Sequence, residues 1–199
     1  MQAAESKNAL RRAETRARLV ATAQQLFAEQ GFAATGTEQI VAAAGVTRGA
    51  LYFHFADKTE LFAAVLDAVA QAIAAAIERT SSGDIDPLEA VRRGAAGYLD
   101  AASAGRHRTI YLVDGPSVLG LNRWHEVENR YSLPLLRAGV EAVAAVRGDT
   151  DLDIEATARL LSGALVEAAR WLATARGDPE LRARLVAAFD RLLTRLFAA

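Results

Sequence analysis

The stretch Gly36–Leu61, GTEQIVAAAGVTRGALYFHFADKTEL, leaves this chain little freedom in how it folds. Ile40, Val41 and Ala44 share one face of a short helix over Thr37–Ala44. Gly45 follows, and glycine leaves a helix through left-handed backbone without steric cost. Val46 is placed to pack back into the angle. Thr47 is placed to cap the next helix by accepting a backbone N–H. Leu51 and Phe55, one turn apart, give Arg48–Phe55 a single buried stripe. The other side of that helix offers Arg48, Gly49, Tyr52 and His54. Asp57 caps a third helix, with Lys58 expected to project beside it. Two helices closed by a glycine-containing turn form the architecture that lays its second helix in the major groove of DNA.

Ala44–Leu61, AGVTRGALYFHFADKTEL, resembles the recognition element of the TetR family of bacterial transcriptional repressors. The family pattern is close to A-G-V-[ST]-x-G-x-[LF]-Y-x-[HY]-F-x-x-K-x-x-L, and every fixed place is filled. Upstream, LFAEQGFAATGTEQIV is similar to the family's first helix and its exit. One departure is visible: Gly36 stands where Ser or Thr is usual, and Thr37 where an apolar residue is common. The family's cap and phosphate contact at the head of the second helix is therefore lost, or has moved to Thr35 or Thr37. The resemblance implies DNA contacts from Thr37, Thr47, Arg48, Gly49, Tyr52, His54 and Lys58. Arg48 would meet a base edge or phosphate and Gly49 would allow close approach, while Tyr52, His54 and Lys58 would hold the backbone. The competing reading is an ordinary helical hairpin whose Tyr and His are packing residues. Gly49 speaks against it, because a glycine inside a helix costs about 1 kcal/mol relative to Ala.

Composition narrows the remaining choices. The 199 residues suffice for one to two domains with a substantial core. There is no Cys, which excludes disulfides, a thiol nucleophile and Cys-type zinc sites. No uninterrupted apolar run is long enough for a membrane span, and the first residues lack the apolar core of a signal peptide. The expected location is cytoplasmic, with no membrane partner. Net charge is −1, so bulk charge gives no argument for nucleic acid. Residues 1–20 nevertheless carry Lys7, Arg11, Arg12, Arg16 and Arg18 against Glu5 and Glu14. A locally basic face is what DNA affinity requires.

The pattern is helical throughout and predicts an all-α fold of two domains, a helix-turn-helix head at 9–56 and a larger helical domain at 57–199. Residues 1–8 are expected to be disordered, and Ala9–Gln30 to be helical up to Gly31. Lys58 to about Thr80 reads as a connector, too long to serve the head alone. Ser81–Pro87 breaks it, Pro87–Ala104 is amphipathic, and Gly105 reads as a stop. Arg106–Asp114 is a short apolar segment, followed by a turn signal at Asp114-Gly115-Pro116. Leu119–Arg147 is helical, with Pro134 expected to kink or divide it so that its pieces bow around a space. Asp153–Ala175 and Pro179–Phe197 complete the chain.

The central block combines aromatics with a few polar groups, as small-molecule pockets do. Tyr98, Tyr111, Leu119, Trp124, His125 and Asn129 are the candidate ligand contacts; the alternative is that an aromatic stripe at helical spacing is simply core. The last two helices carry more apolar surface than one side can bury. By resemblance they would form a four-helix interface in a homodimer, and two DNA half-sites call for a two-fold protein. Enzyme readings are weak. His54, His107 and His125 show no metal-ligand spacing, Ser117 lacks a nucleophile elbow, and no phosphate loop is present. No catalytic residue, cofactor or metal is implied. The reading is a DNA-binding regulator, a repressor released from a palindromic double-stranded operator by a small-molecule effector. The alternative is a helical small-molecule-binding protein of the same fold that does not regulate transcription.

Overall fold

A computed structural model describes the backbone of residues 2–198 and the side chains of residues 8–198. Among the described residues every regular element is helical. In chain order these are α1 (Gln2–Ala34), α2 (Thr37–Ala44), α3 (Arg48–His54), α4 (Lys58–Ser81), α5 (Pro87–Ser103) and α6 (Gly105–His107). A π-helical turn (Arg108–Asp114) then leads into α7 (Gly115–Leu119), α8 (Leu121–Arg147), α9 (Ile154–Thr174) and α10 (Pro179–Leu196).

The ends of α2, α3 and α4 lie where local chemistry puts them. Gly45 adopts φ 60°, ψ 40° and closes α2. The Thr47 hydroxyl accepts the Ala50 N–H, and the Asp57 carboxylate accepts the Glu60 N–H. At the N-terminus the outcome differs from expectation. The backbone is helical from Gln2 onward, and Met1 lies outside the described residues. The segment is rich in strong helix formers and extends an existing helix, so it incurs no nucleation penalty.

Gly31 (φ 80°, ψ 165°) breaks the hydrogen-bond ladder of α1. The chain turns there and places Phe32 against Phe27 and Phe62, with ring centroids 5.1–5.7 Å apart. Phe62 belongs to α4, so the aromatic core under the helix pair is completed by the connector. Three further bonds fix the same corner. The Lys58 ammonium donates to the carbonyls of Phe32 at 2.9 Å and Thr35 at 3.0 Å, and sits 4.1 Å from the Phe32 ring centroid. The Phe32 N–H donates to Asp114 at 2.8 Å, at the end of the π-helical turn.

The body packs closely where small residues allow it. A Cβ on Gly97 would collide with the Thr80 hydroxyl, so α5 sits hard against the end of α4. A Cβ on Gly139 would lie 2.7 Å from Val91, bringing α8 close to α5 in the same way. Helix α4 has the length and composition of a membrane span. Its apolar side instead carries Leu61, Phe62, Val65, Leu66, Val69 and Ile73 into the core.

Three expectations about the body need correction. Asp114-Gly115-Pro116 is not a turn; the backbone stays helical into α7. Proline is tolerated at the start of a helix, and Gly115 serves close packing, since a Cβ there would lie 2.7 Å from the Trp124 ring. Gly105 does not end a helix but opens α6, after the break at Ala104. Pro134 lies within α8 without dividing it, and the helix starts only after Gly120 (φ 78°). Pro134 and Arg130 are both exposed, so the missing bond to the Arg130 carbonyl falls on the outer side of the helix.

The Lys58 clamp has a measurable consequence. Lys58→Met keeps the stem over Phe32 and removes two hydrogen bonds from a charged donor, so stability should fall by roughly 2–3 kcal/mol in urea unfolding. An unchanged midpoint would show that the ammonium does not hold the end of α1.

Candidate nucleic-acid interface and interior cavity

Helix α3 presents one open side. Leu51 is fully buried and Phe55, its cap residue, is 5% exposed. Arg48, Gly49, Tyr52 and Phe53 face outward. Nothing in the protein requires a glycine at position 49, because a Cβ there would meet only the Thr47 hydroxyl at 3.9 Å. The guanidinium of Arg48 lies 5.5 Å from the Tyr52 ring and 3.4 Å from the Glu38 carboxylate. Glu38 is held below the usual carboxylate range by its own backbone N–H at the head of α2, then by the Thr37 hydroxyl, with Arg48 contributing less. Arg12 and Arg16 of α1 lie over Phe53 and Phe55, each 5.2 Å from the ring centroid. Two basic side chains thus flank the exposed side of α3.

The head of α2 carries no side-chain cap. Gly36 holds the N-cap position. The Thr35 hydroxyl turns inward to the carbonyl of Gly31 at 2.8 Å, and that of Thr37 meets Glu38 at 3.2 Å. The Glu38 N–H is engaged by its own carboxylate, and Gly36 supplies no side-chain acceptor for the other N–H groups at this end.

Two expected DNA contacts sit elsewhere than expected. Lys58 does not project outward; its ammonium is engaged by the carbonyls of Phe32 and Thr35, since α1 ends there with carbonyls that need donors. His54 lies on the flank of α3 and lines a groove between head and body with Arg16, Glu60 and Arg123. Phe53, which the family pattern leaves open, is the most exposed aromatic of α3 at 65%.

Across that groove α8 is strapped to the connector. Arg123 donates to both Glu60 oxygens at 2.9 and 3.1 Å. Arg130 and the Tyr131 hydroxyl both donate to Asp67 at 2.8 Å, and Gln71 donates to Tyr131 at 2.9 Å. Exposed pairs of this kind add little stability individually; their effect is to fix the register of α8 on α4.

Within the body a cavity of about 200 Å³, partly open to the surface, lies among α4, α5, α8 and α9. Its walls are mostly apolar: Ile77, Val91, Leu135, Leu136 and Leu165, with Gly94 and Gly139 giving it room. Tyr98, Ser132 and Ser162 form its polar end. Glu128 stands just behind them, in a second pocket of about 170 Å³ that shares Ser162. The Glu128 residue is 4% exposed. Burial pushes its carboxyl from 4.5 up to about 7, held back in part by the nearby Tyr98 and Ser162 hydroxyls. Burial, and then the neighbouring Glu128, push the Tyr98 phenol well above its ordinary value.

Of the six ligand contacts expected from sequence, Tyr98 alone lines this cavity. Trp124 is a strut: its indole N–H donates to the Tyr111 carbonyl at 2.7 Å, and both residues are buried in the core. Leu119 lines the groove between head and body. His125 and Asn129 line the pocket behind Glu128. Aromatic residues at helical spacing suit a core as well as a pocket, and neighbouring helices decide between the two. Glu128 and Ser132 were the missed residues. The available signal was a carboxylate in phase with the buried stripe of Trp124, Val127 and Leu133, since a buried polar residue is more informative than a buried apolar one.

Glu128 should leave a mark on stability. The native protein holds this proton more tightly than the unfolded chain, so this group's contribution falls as pH rises from about 4.5 to about 7. The loss is on the order of 3 kcal/mol at most. Urea unfolding at fixed protein concentration should show the decline in the parent protein and lose that component in Glu128→Gln. Parallel pH profiles would contradict it.

Comparison with known proteins agrees with this arrangement. Residues 19–65 match the family described as bacterial regulatory proteins, tetR family. Residues 88–196 match the tetracyclin repressor-like C-terminal domain. The HTH-type transcriptional regulator TtgR of Pseudomonas putida is 41% identical over 83 residues, a match that spans 40% of this chain and only 39% of TtgR. The HTH-type transcriptional regulator TcmR of Streptomyces glaucescens is 30% identical over 202 residues, spanning 92% of this chain and 85% of TcmR. The crystal structure of a TetR-family transcriptional regulator from Pectobacterium atrosepticum superposes with a TM-score of 0.80 at 32% identity, covering 94% of this chain and 96% of that one. With both of its halves matched and relatives aligned along nearly its whole length, the chain belongs to the TetR family of bacterial regulatory proteins.

Proposed function

We propose that this protein is a cytoplasmic transcriptional repressor that binds a palindromic operator as a homodimer and releases it when a small molecule enters the interior cavity. The observation that carries the reading is the open side of α3, where Arg48, Gly49 and Tyr52 stand exposed on a head that is fastened to α4. The same α4 lends Ile77 and Ser81 to the cavity wall. One rigid helix therefore touches both sites. A ligand shifts DNA affinity only as far as it prefers one arrangement of the protein over the other.

A dimer is favoured by what α9 and α10 leave uncovered. Leu160, Trp171 and Leu192 are 77%, 51% and 47% exposed. Gly163, Ala164, Ala187 and Ala188 on the same two helices are exposed as well. Small residues of this kind let a second pair of helices approach closely. Two protomers joined there would carry two α3 helices to successive major grooves, about 34–36 Å apart.

The test is a gel-shift with the DNA upstream of the protein's own gene, paired with sedimentation to read the oligomeric state. Arg48→Ala and Tyr52→Ala should each weaken DNA binding roughly 5- to 100-fold and leave the dimer intact. Trp171→Glu should yield monomers that no longer shift the DNA. Full affinity in both α3 variants would remove α3 as the reading surface, and a Trp171→Glu protein that stays dimeric would move the interface elsewhere.

A further inference from the structure

The polar end of the cavity is unusually specific about what would satisfy it. The Tyr98 and Ser132 hydroxyls line it, and Oε1 of Glu128 lies behind them; all three are fully buried without a well-formed hydrogen bond, although the Tyr98 hydroxyl stands close enough to the Glu128 carboxyl to hold its pKa down. Their residues are 3%, 6% and 4% exposed. They come from α5 and from adjacent turns of α8. Leaving buried polar atoms unpaired is costly, and native interiors seldom do so. All three can accept hydrogen bonds, and one belongs to an acid.

No cationic side chain answers them. The residues lining the cavity include no charged group. Arg159 and His125 line the pocket on the far side of Glu128, and Arg159 is already engaged by Glu155 at 2.6 Å and Asn129 at 3.4 Å. A primary ammonium carries three N–H donors and no acceptor, and the two hydroxyl oxygens and the carboxyl can accept them while the Tyr98 proton stays turned toward Glu128. A hydroxyl brings one donor, and an anion would face the carboxyl. The remaining walls are apolar, and a cavity of roughly 150 Å³ is known to accept a benzene ring. The space here is about 200 Å³.

We infer that the effector is a compact apolar primary amine, with a body about one ring in size filling the space beside Leu135, Leu136 and Leu165 and an ammonium shared by Tyr98, Ser132 and Glu128. This rests on the reading of the cavity as the effector site and names the chemistry of its occupant. Pairing the cation with Glu128 favours the carboxylate, whose proton is half retained near pH 7 in the free protein. The other titratable or charged groups around it are Tyr98 on α5, His125 on α8 and Arg159 on α9. Binding at pH 7 should therefore release protons to the buffer.

The experiment is calorimetric titration of the full chain with benzylamine, benzyl alcohol and toluene, three ligands of like shape and different polar groups. Benzylamine should bind tightest, with heats that vary with the ionisation enthalpy of the buffer. Glu128→Gln should weaken benzylamine at least about ten-fold and leave toluene unchanged, while Glu141→Gln, an exposed change on the same helix, should alter neither. If Glu128→Gln does not fold, Tyr98→Phe combined with Ser132→Ala should show the same selective loss. Equal affinity for toluene and benzylamine, tighter binding of benzyl alcohol, binding of none of the three, or an unaffected Glu128→Gln would each overturn the amine. A gel-shift on the same preparations separates the two readings. Intact DNA binding alongside a failed amine leaves the regulator standing and rejects only its ligand class.

Discussion

The ammonium of Lys58 settles where the head sits on the body. Helix α1 cannot finish by itself, because Gly31 interrupts its hydrogen-bond ladder and leaves carbonyls at the negative end of the helix without donors. The Thr35 hydroxyl takes one, and Lys58 takes those of Phe32 and Thr35. The first residue of α4 thereby becomes part of the end of α1. The Phe27, Phe32 and Phe62 cluster lies directly beneath, and Asp114 holds the Phe32 amide from the other side. A head joined through a charge, three rings and a carboxylate moves with its connector instead of swinging on it.

The rest of the molecule can then act on the head through α4. Helix α8 is tied to α4 by Arg123 on Glu60 and by the Arg130, Tyr131, Asp67 and Gln71 network. The same α8 brings Ser132 to the cavity wall and Glu128 to the pocket behind it, and α4 itself ends at the cavity. A change of charge or volume in the cavity is thus one rigid helix away from α3. The balance of forces inside favours response over stability. An apolar residue at position 128 would remove the burial penalty on the carboxyl, so the acid is a cost unless something binds to it.

How much of this was legible in the sequence depends on the range of the interaction. The limits of α2 and the caps Thr47 and Asp57 were readable, because a glycine in left-handed backbone and a hydroxyl at an N-cap act within a few residues. The exposed side of α3 was readable for Arg48, Gly49 and Tyr52 from the stripe opposite them. Lys58 was not, because a long side chain takes its direction from partners remote in sequence. Trp124 was read as a ligand contact and proved to be a strut, since its role follows from the Tyr111 carbonyl that the π-helical turn presents to it. The cavity owes its place to how closely α4, α5 and α8 approach at Gly94, Gly97 and Gly139, which composition does not disclose. Glu128 was visible in principle, as a carboxylate in phase with an apolar stripe.

The central claim is that the head is rigidly coupled to α4 through Lys58. The chain has no cysteine, so a single Ala43→Cys on the exposed side of α2 accepts one spin label per protomer. The measurement is the distance distribution between the two labels of a dimer, with and without DNA from upstream of the gene, for the parent protein and for Lys58→Met. A rigid coupling gives the parent one narrow peak on DNA, as two α3 helices one turn of DNA apart require, and a broad distribution in Lys58→Met under both conditions. Equally narrow distributions in the two proteins would contradict it.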